Sequence, residues 1–169
     1  TTSYQYDAQG RIQQVTDANG VTVGTRYDAT GRPEFTDYEA PGTSDHGATS
    51  TQIRYDSLGR RSHQIDQAGA GKRFTYDDLG RLVRVDLLQP DGVTPLDYGF
   101  ATYGYDEAGN MTSQTDAEGR TTTYRYDDAG RRTHRFLPDA TTYEEYVYGA
   151  FGQLDHRRTF GGQLISYTY

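Results

Sequence analysis

A chain of 169 residues with a formal charge of −7 and a pI near 5.0 is sized for one ordinary domain. Its charge argues against nucleic acid or an anionic membrane as partner, and no apolar run approaches the ~18 residues of a membrane-spanning helix. Leu, Ile, Val and Phe supply only 26 residues, a fraction that alone would suggest disorder, yet 16 tyrosines offer large half-apolar side chains for a thin core. With no cysteine, disulfides are excluded. The basic residues are arginines apart from Lys72, and the arginine fork can both stack on tyrosine and bridge carboxylates.

The first predicted element is a strand running through Tyr4 into YDAQGR, which places Tyr6, Asp7, Gly10 and Arg11 in a turn. A returning strand follows from Ile12, and a second turn, DANG, begins at Asp17. The pattern then recurs. YDATGR carries Tyr27, Asp28, Gly31 and Arg32, followed by a long connection from Tyr38 to Ser50. YDSLGR carries Tyr55, Asp56, Gly59 and Arg60, followed by the turn DQAG at Asp66. YDDLGR carries Tyr76, Asp77, Gly80 and Arg81, and a second long connection is expected from Leu87 to Asp97. A variant, YDEAGN, places Tyr105, Asp106, Gly109 and Asn110, followed by DAEG at Asp116. YDDAGR supplies Tyr126, Asp127, Gly130 and Arg131, and a worn copy, YGAFGQ, starts at Tyr148. The last residue, Tyr169, falls where another copy would start. With an opening of TTSYQYD and no initiator methionine, the chain reads as one array of about seven repeats, residues 1–169, excerpted from a longer protein.

Asp and Gly three apart are the chemistry of a type I turn closed by a left-handed glycine. Aspartate accepts hydrogen bonds from amides within the turn, and glycine takes positive φ without a Cβ clash. Such a turn sets the motif tyrosine opposite the residue two past the glycine, pairing Tyr6 with Ile12, Tyr27 with Pro33, Tyr105 with Met111 and Tyr148 with Leu154. Two residues before each motif tyrosine stand Tyr4, Thr25, Ile53, Phe74, Tyr103, Tyr124, Tyr146 and, at the end, Tyr167. All are aromatic or β-branched, a period-2 strand signal. The expected fold is all-β, an antiparallel meander of repeated β-hairpins.

Five perfect copies of Y-D-x-x-G-R and two variants, spread from Tyr4 to Tyr169, resemble the YD-repeat or Rhs family. Its members include bacterial polymorphic toxins, insecticidal toxin-complex shells, wall-associated proteins and teneurins. The resemblance implies a curved strip, a segment of a β-spiral shell, in a secreted or cell-surface protein. It also implies a structural role, with the full-length form encapsulating and helping to deliver a C-terminal effector. Neighbouring repeats and that effector would be the partners. The chain lacks an effector domain and the DPxGxxGG-like boundary motif that accompanies self-cleavage in the family.

Other readings are weaker. Acidic turns could suggest calcium, but calcium takes six to eight oxygens and most of these turns offer one or two carboxylates, so no metal site is expected. The tyrosines could stack on sugars, which makes a carbohydrate-binding adhesion module the alternative function. His46, His63, His134 and His156 are scattered without ligand spacing. No nucleophile elbow, phosphate loop or HExxH motif is present, so neither an enzyme nor a cofactor is expected. The uncharged runs TTSYQY and LISYTY at the two ends predict edge-to-edge self-association.

Overall fold

The computed structural model describes residues 1–39 and 50–169, and every regular element among them is a β-strand. In chain order these are β1 (Ser3–Tyr6), β2 (Ile12–Thr16), β3 (Thr22–Tyr27), β4 (Pro33–Glu39), β5 (Ser50–Tyr55), β6 (Arg61–Ile65), β7 (Gly71–Tyr76) and β8 (Leu82–Leu88). They continue as β9 (Pro95–Tyr105), β10 (Met111–Asp116), β11 (Thr121–Tyr126), β12 (Arg132–Phe136), β13 (Tyr143–Tyr148), β14 (Leu154–Arg158) and β15 (Leu164–Ser166). Strand order follows chain order from β1 to β15. The meander expected from the repeats is what forms. The chain divides into two compact units, Thr1–Thr75 with Asp86–Gly99 and Tyr76–Val85 with Phe100–Tyr169.

Register follows the turn chemistry. Tyr6 lies opposite Ile12, Tyr27 opposite Pro33, Tyr105 opposite Met111 and Tyr148 opposite Leu154. Beside each pair the ladder slips by one residue, the bulge that accompanies a left-handed glycine at the end of a tight turn. The mid-repeat turns DANG, DQAG and DAEG close in the same way, with Gly20, Gly69 and Gly119 at positive φ.

One expectation about a connection changes. The predicted loop from Leu87 to Asp97 is shorter than expected, since β8 extends through Leu88, β9 starts at Pro95, and six residues remain for the turn. Its amides explain the shortening. Gln89 N donates to the Thr94 carbonyl at 2.8 Å, and Asp91 Oδ1 accepts from the amides of Val93 and Thr94 at 2.9 and 2.8 Å. The same construction recurs at Leu137–Thr142, where Asp139 Oδ1 accepts from Thr141 and Thr142. The other expected loop, Tyr38 to Ser50, falls largely on residues 40–49, outside the described residues. At the chain's end the expected strand through SYTY stops at Ser166. Its last sheet-like bond is Tyr167 N to the Asp155 carbonyl at 3.0 Å.

The core is as thin as the composition implies. Among the described residues only Ile65 and Leu88 are buried apolar side chains, and both belong to the first unit. There the β8–β9 turn rests on the 66–69 turn. A Cβ on Gly69 would come 2.1 Å from the Pro90 carbonyl oxygen, and one on Gly92 would come 3.0 Å from Ile65 Cδ1. Asp37 and Asp86 are buried on the sheet. Arg26 grips Asp37 through Nε and Nη2 at 2.8 and 3.0 Å, with the Ser50 hydroxyl on the same carboxylate, and Arg73 holds Asp86 at 3.0 Å. Charged hydrogen bonds thus occupy places that apolar packing fills in thicker domains, and removing either arginine would weaken the compensation of a buried carboxylate.

Candidate functional site

Each motif is a closed electrostatic loop before it touches anything else. In the first, Asp7 N donates to the Arg11 carbonyl and Gly10 N to the Asp7 carbonyl, at 2.9 and 3.0 Å. Asp7 Oδ1 accepts from the amides of Gln9 and Arg11 at 3.0 and 2.9 Å, which leaves Oδ2 for Arg11 Nε at 2.6 Å. The same carboxylate–guanidinium pair forms between Asp28 and Arg32, Asp56 and Arg60, Asp77 and Arg81, and Asp127 and Arg131, at 2.7 to 2.8 Å. In the variant copy Asn110 Nδ2 takes the arginine's place and donates to Asp106 Oδ2 at 2.9 Å. The glycines of all six motifs, Gly10, Gly31, Gly59, Gly80, Gly109 and Gly130, have φ between +74° and +89°. Tyr76 ends β7 and leads into its turn in the same manner as the other motif tyrosines.

These contacts hold the motif aspartates below the ordinary carboxylate value of 3.8. At Asp77 the largest influence is the Arg81 amide, at Asp127 the Arg131 side chain, and at Asp106 the Asn110 side chain. At Asp7 and Asp56 desolvation, which acts upward, is the largest single influence, and the hydrogen bonds together outweigh it.

Four of these arginines then reach the following motif. The Arg11 guanidinium lies over the Tyr27 ring at 4.1 Å, Arg32 over Tyr55 at 4.2 Å, Arg81 over Tyr105 at 4.9 Å and Arg131 over Tyr148 at 4.7 Å. Arg81 Nη1 also donates to the Asp106 carbonyl at 3.0 Å. The tyrosine completes the joint from the other side. Its hydroxyl donates backward to the first residue of the strand leaving the previous turn: Tyr27 to the Ile12 carbonyl, Tyr55 to Pro33, Tyr105 to Leu82, Tyr126 to Met111 and Tyr148 to Arg132, at 2.7 to 2.9 Å. Tyr169 repeats the gesture toward Leu154 at 3.1 Å. Arginine therefore ties its own turn to the next tyrosine, and tyrosine ties the next hairpin to the backbone of the last. A turn-only account of the motif missed this second half. The signal was present in the fixed coexistence of tyrosine and arginine at the two ends of a six-residue word, which a turn alone does not need.

The RHS Repeat family model matches residues 1–22, 6–38, 76–121 and 105–142, more than half of the sequence. The chain belongs to the RHS-repeat family. Solved structures agree on the fold. The RHS-repeat chain superposes on part of the Photorhabdus luminescens Tc holotoxin pore carrying a TccC3 mutation, with a TM-score of 0.73 at 19% identity over 93% of its length and 9% of the other chain. It matches the TcdB2-TccC3-Cdc42 crystal structure with a TM-score of 0.75 at 20% identity over 98% of this chain and 9% of that one. TcdB2-TccC3-TEV gives a TM-score of 0.74 at 21% identity over 99% and 9%. The chain thus spans 9% of the length of the chains it matches, and the likeness is one of fold.

Proposed function

We propose that this chain is a section of wall: a structural segment of a longer YD-repeat array in a secreted or cell-surface protein. In its complete form that protein would enclose a C-terminal toxin or effector and help deliver it. The observation that carries the reading is the arginine–tyrosine joint, because at four junctions it fastens one repeat to the next and leaves the motif residues there occupied by one another. A wall built from successive hairpins needs such joints. The fold shared with long Tc chains supports the same role, and the contents of those complexes suggest an enclosed effector as partner. Under this reading the six Tyr-Asp-Gly-Arg/Asn sets are structural, and the chain performs no catalysis of its own. The test is protease protection. An effector fused behind the complete array should resist digestion, and breaking a joint by Arg32→Ala with Arg131→Ala should expose it. Equal digestion with and without the array would refute enclosure. Glycan binding lost on replacing exposed Tyr98 or Tyr4, with no protection of the effector, would instead favour the carbohydrate-binding module.

A further inference from the structure

One junction departs from the rest in a way that points to a ligand. Four arginines lie over the tyrosine of the motif that follows, as described above. The copy at Tyr105 has Asn110 in the arginine position, and among the described residues no guanidinium lies over the Tyr126 ring that follows it. The worn copy at Tyr148 also lacks arginine, having Gln153, but there Gly149 replaces the aspartate, so carboxylate and cation are lost together. At the Tyr105 copy only the cation is lost. Asp106 keeps its carboxylate, and its neighbours across the junction are Asp127 and Asp128. Arg131 is committed to Asp127 and the Tyr148 ring.

The shortened side chain leaves an open groove of about 680 Å3 between the two turns, lined by Asp106, Asn110, Tyr126, Asp127, Asp128 and Arg125 among others. The Arg125 guanidinium itself lies 4.8 Å from the Phe136 ring. Where Arg11, Arg32 and Arg131 present Nη1 close to the next glycine, Asn110 presents Oδ1, 3.4 Å from the place a Cβ on Gly130 would occupy. A donor has become an acceptor. Arg81 shows what the groove lacks, since its Nη1 donates to the carbonyl of the next motif aspartate, and no corresponding donor reaches Asp127 from Asn110. Acceptors and an aromatic face converge on a space that the sister junctions fill with one chemical group.

We propose that this groove is a binding site for an arginine side chain of a partner polypeptide. The guanidinium would lie over Tyr126, donate to the Asp127 carbonyl and Asn110 Oδ1, and be balanced by Asp106 and Asp128. The planar fork matters here, because the sister joints use stacking and directed N–H donation at once, which a lysine ammonium reproduces poorly. The inference stands on the internal repeats and is independent of whether the parent encloses an effector.

The test is an NMR titration of the 169-residue chain with N-acetyl-arginine methylamide, with N-acetyl-lysine methylamide and calcium chloride as parallel arms. Saturable shifts should be confined to 106–110 and 126–130, with the arginine probe several-fold tighter than the lysine probe. Asn110→Arg, which supplies the missing group from within the chain, should raise the melting temperature and abolish the response. The proposal is overturned by no saturable response, by equal response to lysine or calcium, or by a response that survives Asn110→Arg. A lowered melting temperature in Asn110→Arg would overturn it as well, by showing that the space does not suit a guanidinium.

Discussion

At the scale of single residues, backbone conformation and side-chain bonds make separate demands on the motif. Gly109 has φ +89° and nothing within 4 Å of where a Cβ would stand, so a substitution there meets backbone strain alone. Gly109→Val forces a β-branched residue into the left-handed region and should cost about 1–3 kcal/mol. Tyr105→Phe keeps the ring under Arg81 but removes the hydroxyl that donates to the Leu82 carbonyl at 2.8 Å. It should cost about 0.5–1.5 kcal/mol, more than a surface change and less than the glycine. Denaturant midpoints at constant slope rank the two, and the reverse order would refute the strain argument. The sister turns provide a gain-of-stability test. Gly92 has φ +66° in one, and Ala140 has φ +58° at the same place in the other. Ala140→Gly relieves a left-handed Cβ but frees the unfolded chain, so the strain of roughly 1 kcal/mol should be only partly recovered. A modest rise in melting temperature is expected, and a fall would mean that Ala140 is not strained.

At the scale of the hairpin, ionised aspartates make stability depend on acid. Asp77, Asp106 and Asp127 titrate below 3.8 in the folded chain, and Asp139, held first by the Thr142 side chain and then by its amide, falls to about 2. Because the unfolded chain takes up protons first, their contribution is intact above about pH 4 and is lost as pH falls through the folded values. His63 acts in a higher window. It faces Arg54 and Arg73 on the neighbouring strands, and burial, then those two charges, push it below its ordinary 6.5. Its neutral form favours folding above pH 6.5, and that contribution is lost as pH drops toward the folded value. Thermal melts from pH 7 to pH 2 should show a shallow decline below 6.5, absent in His63→Gln, and a steep one only below about 4. A single steep loss near pH 6 would contradict both assignments. The hairpins themselves were legible in the sequence because Asp and Gly act locally and the tyrosine register follows from the turn. The Arg26–Asp37 and Arg73–Asp86 pairs were not, since 11 and 13 residues separate partners that only the sheet brings together. The six-residue turn at Gln89–Thr94 was hidden for a different reason. The extra residues of the longer repeat were expected to form a long loop, whereas Asp91 and the returning amides closed it early.

At the scale of the whole chain, the sheet order begins at β1 and ends at β15, so among the described residues each of these strands has a partner on one side only. Unpaired backbone along an edge invites another strand unless charge, proline, shortness or a cover prevents it. The two edges differ. β15 spans three residues, and Tyr169 beyond it turns its hydroxyl back to the Leu154 carbonyl, which leaves little extended backbone to offer. β1 has four residues, SYQY, all exposed, with Tyr4 and Tyr6 at 53% and 58% exposure and no charge between Thr2 and Tyr6. Tyr6 also stands where later motif tyrosines receive an arginine from the preceding copy. β1 is therefore the better template, and the 169-residue polypeptide should associate through it, most simply as an antiparallel β1–β1 dimer. Light scattering across a concentration series should show mass rising above that of the monomer, and Gln5→Lys, which sets like charges against each other across that pairing, should return it to the monomer. A monomer at the highest concentration, or association indifferent to Gln5→Lys, would show that β1 is not the adhesive edge.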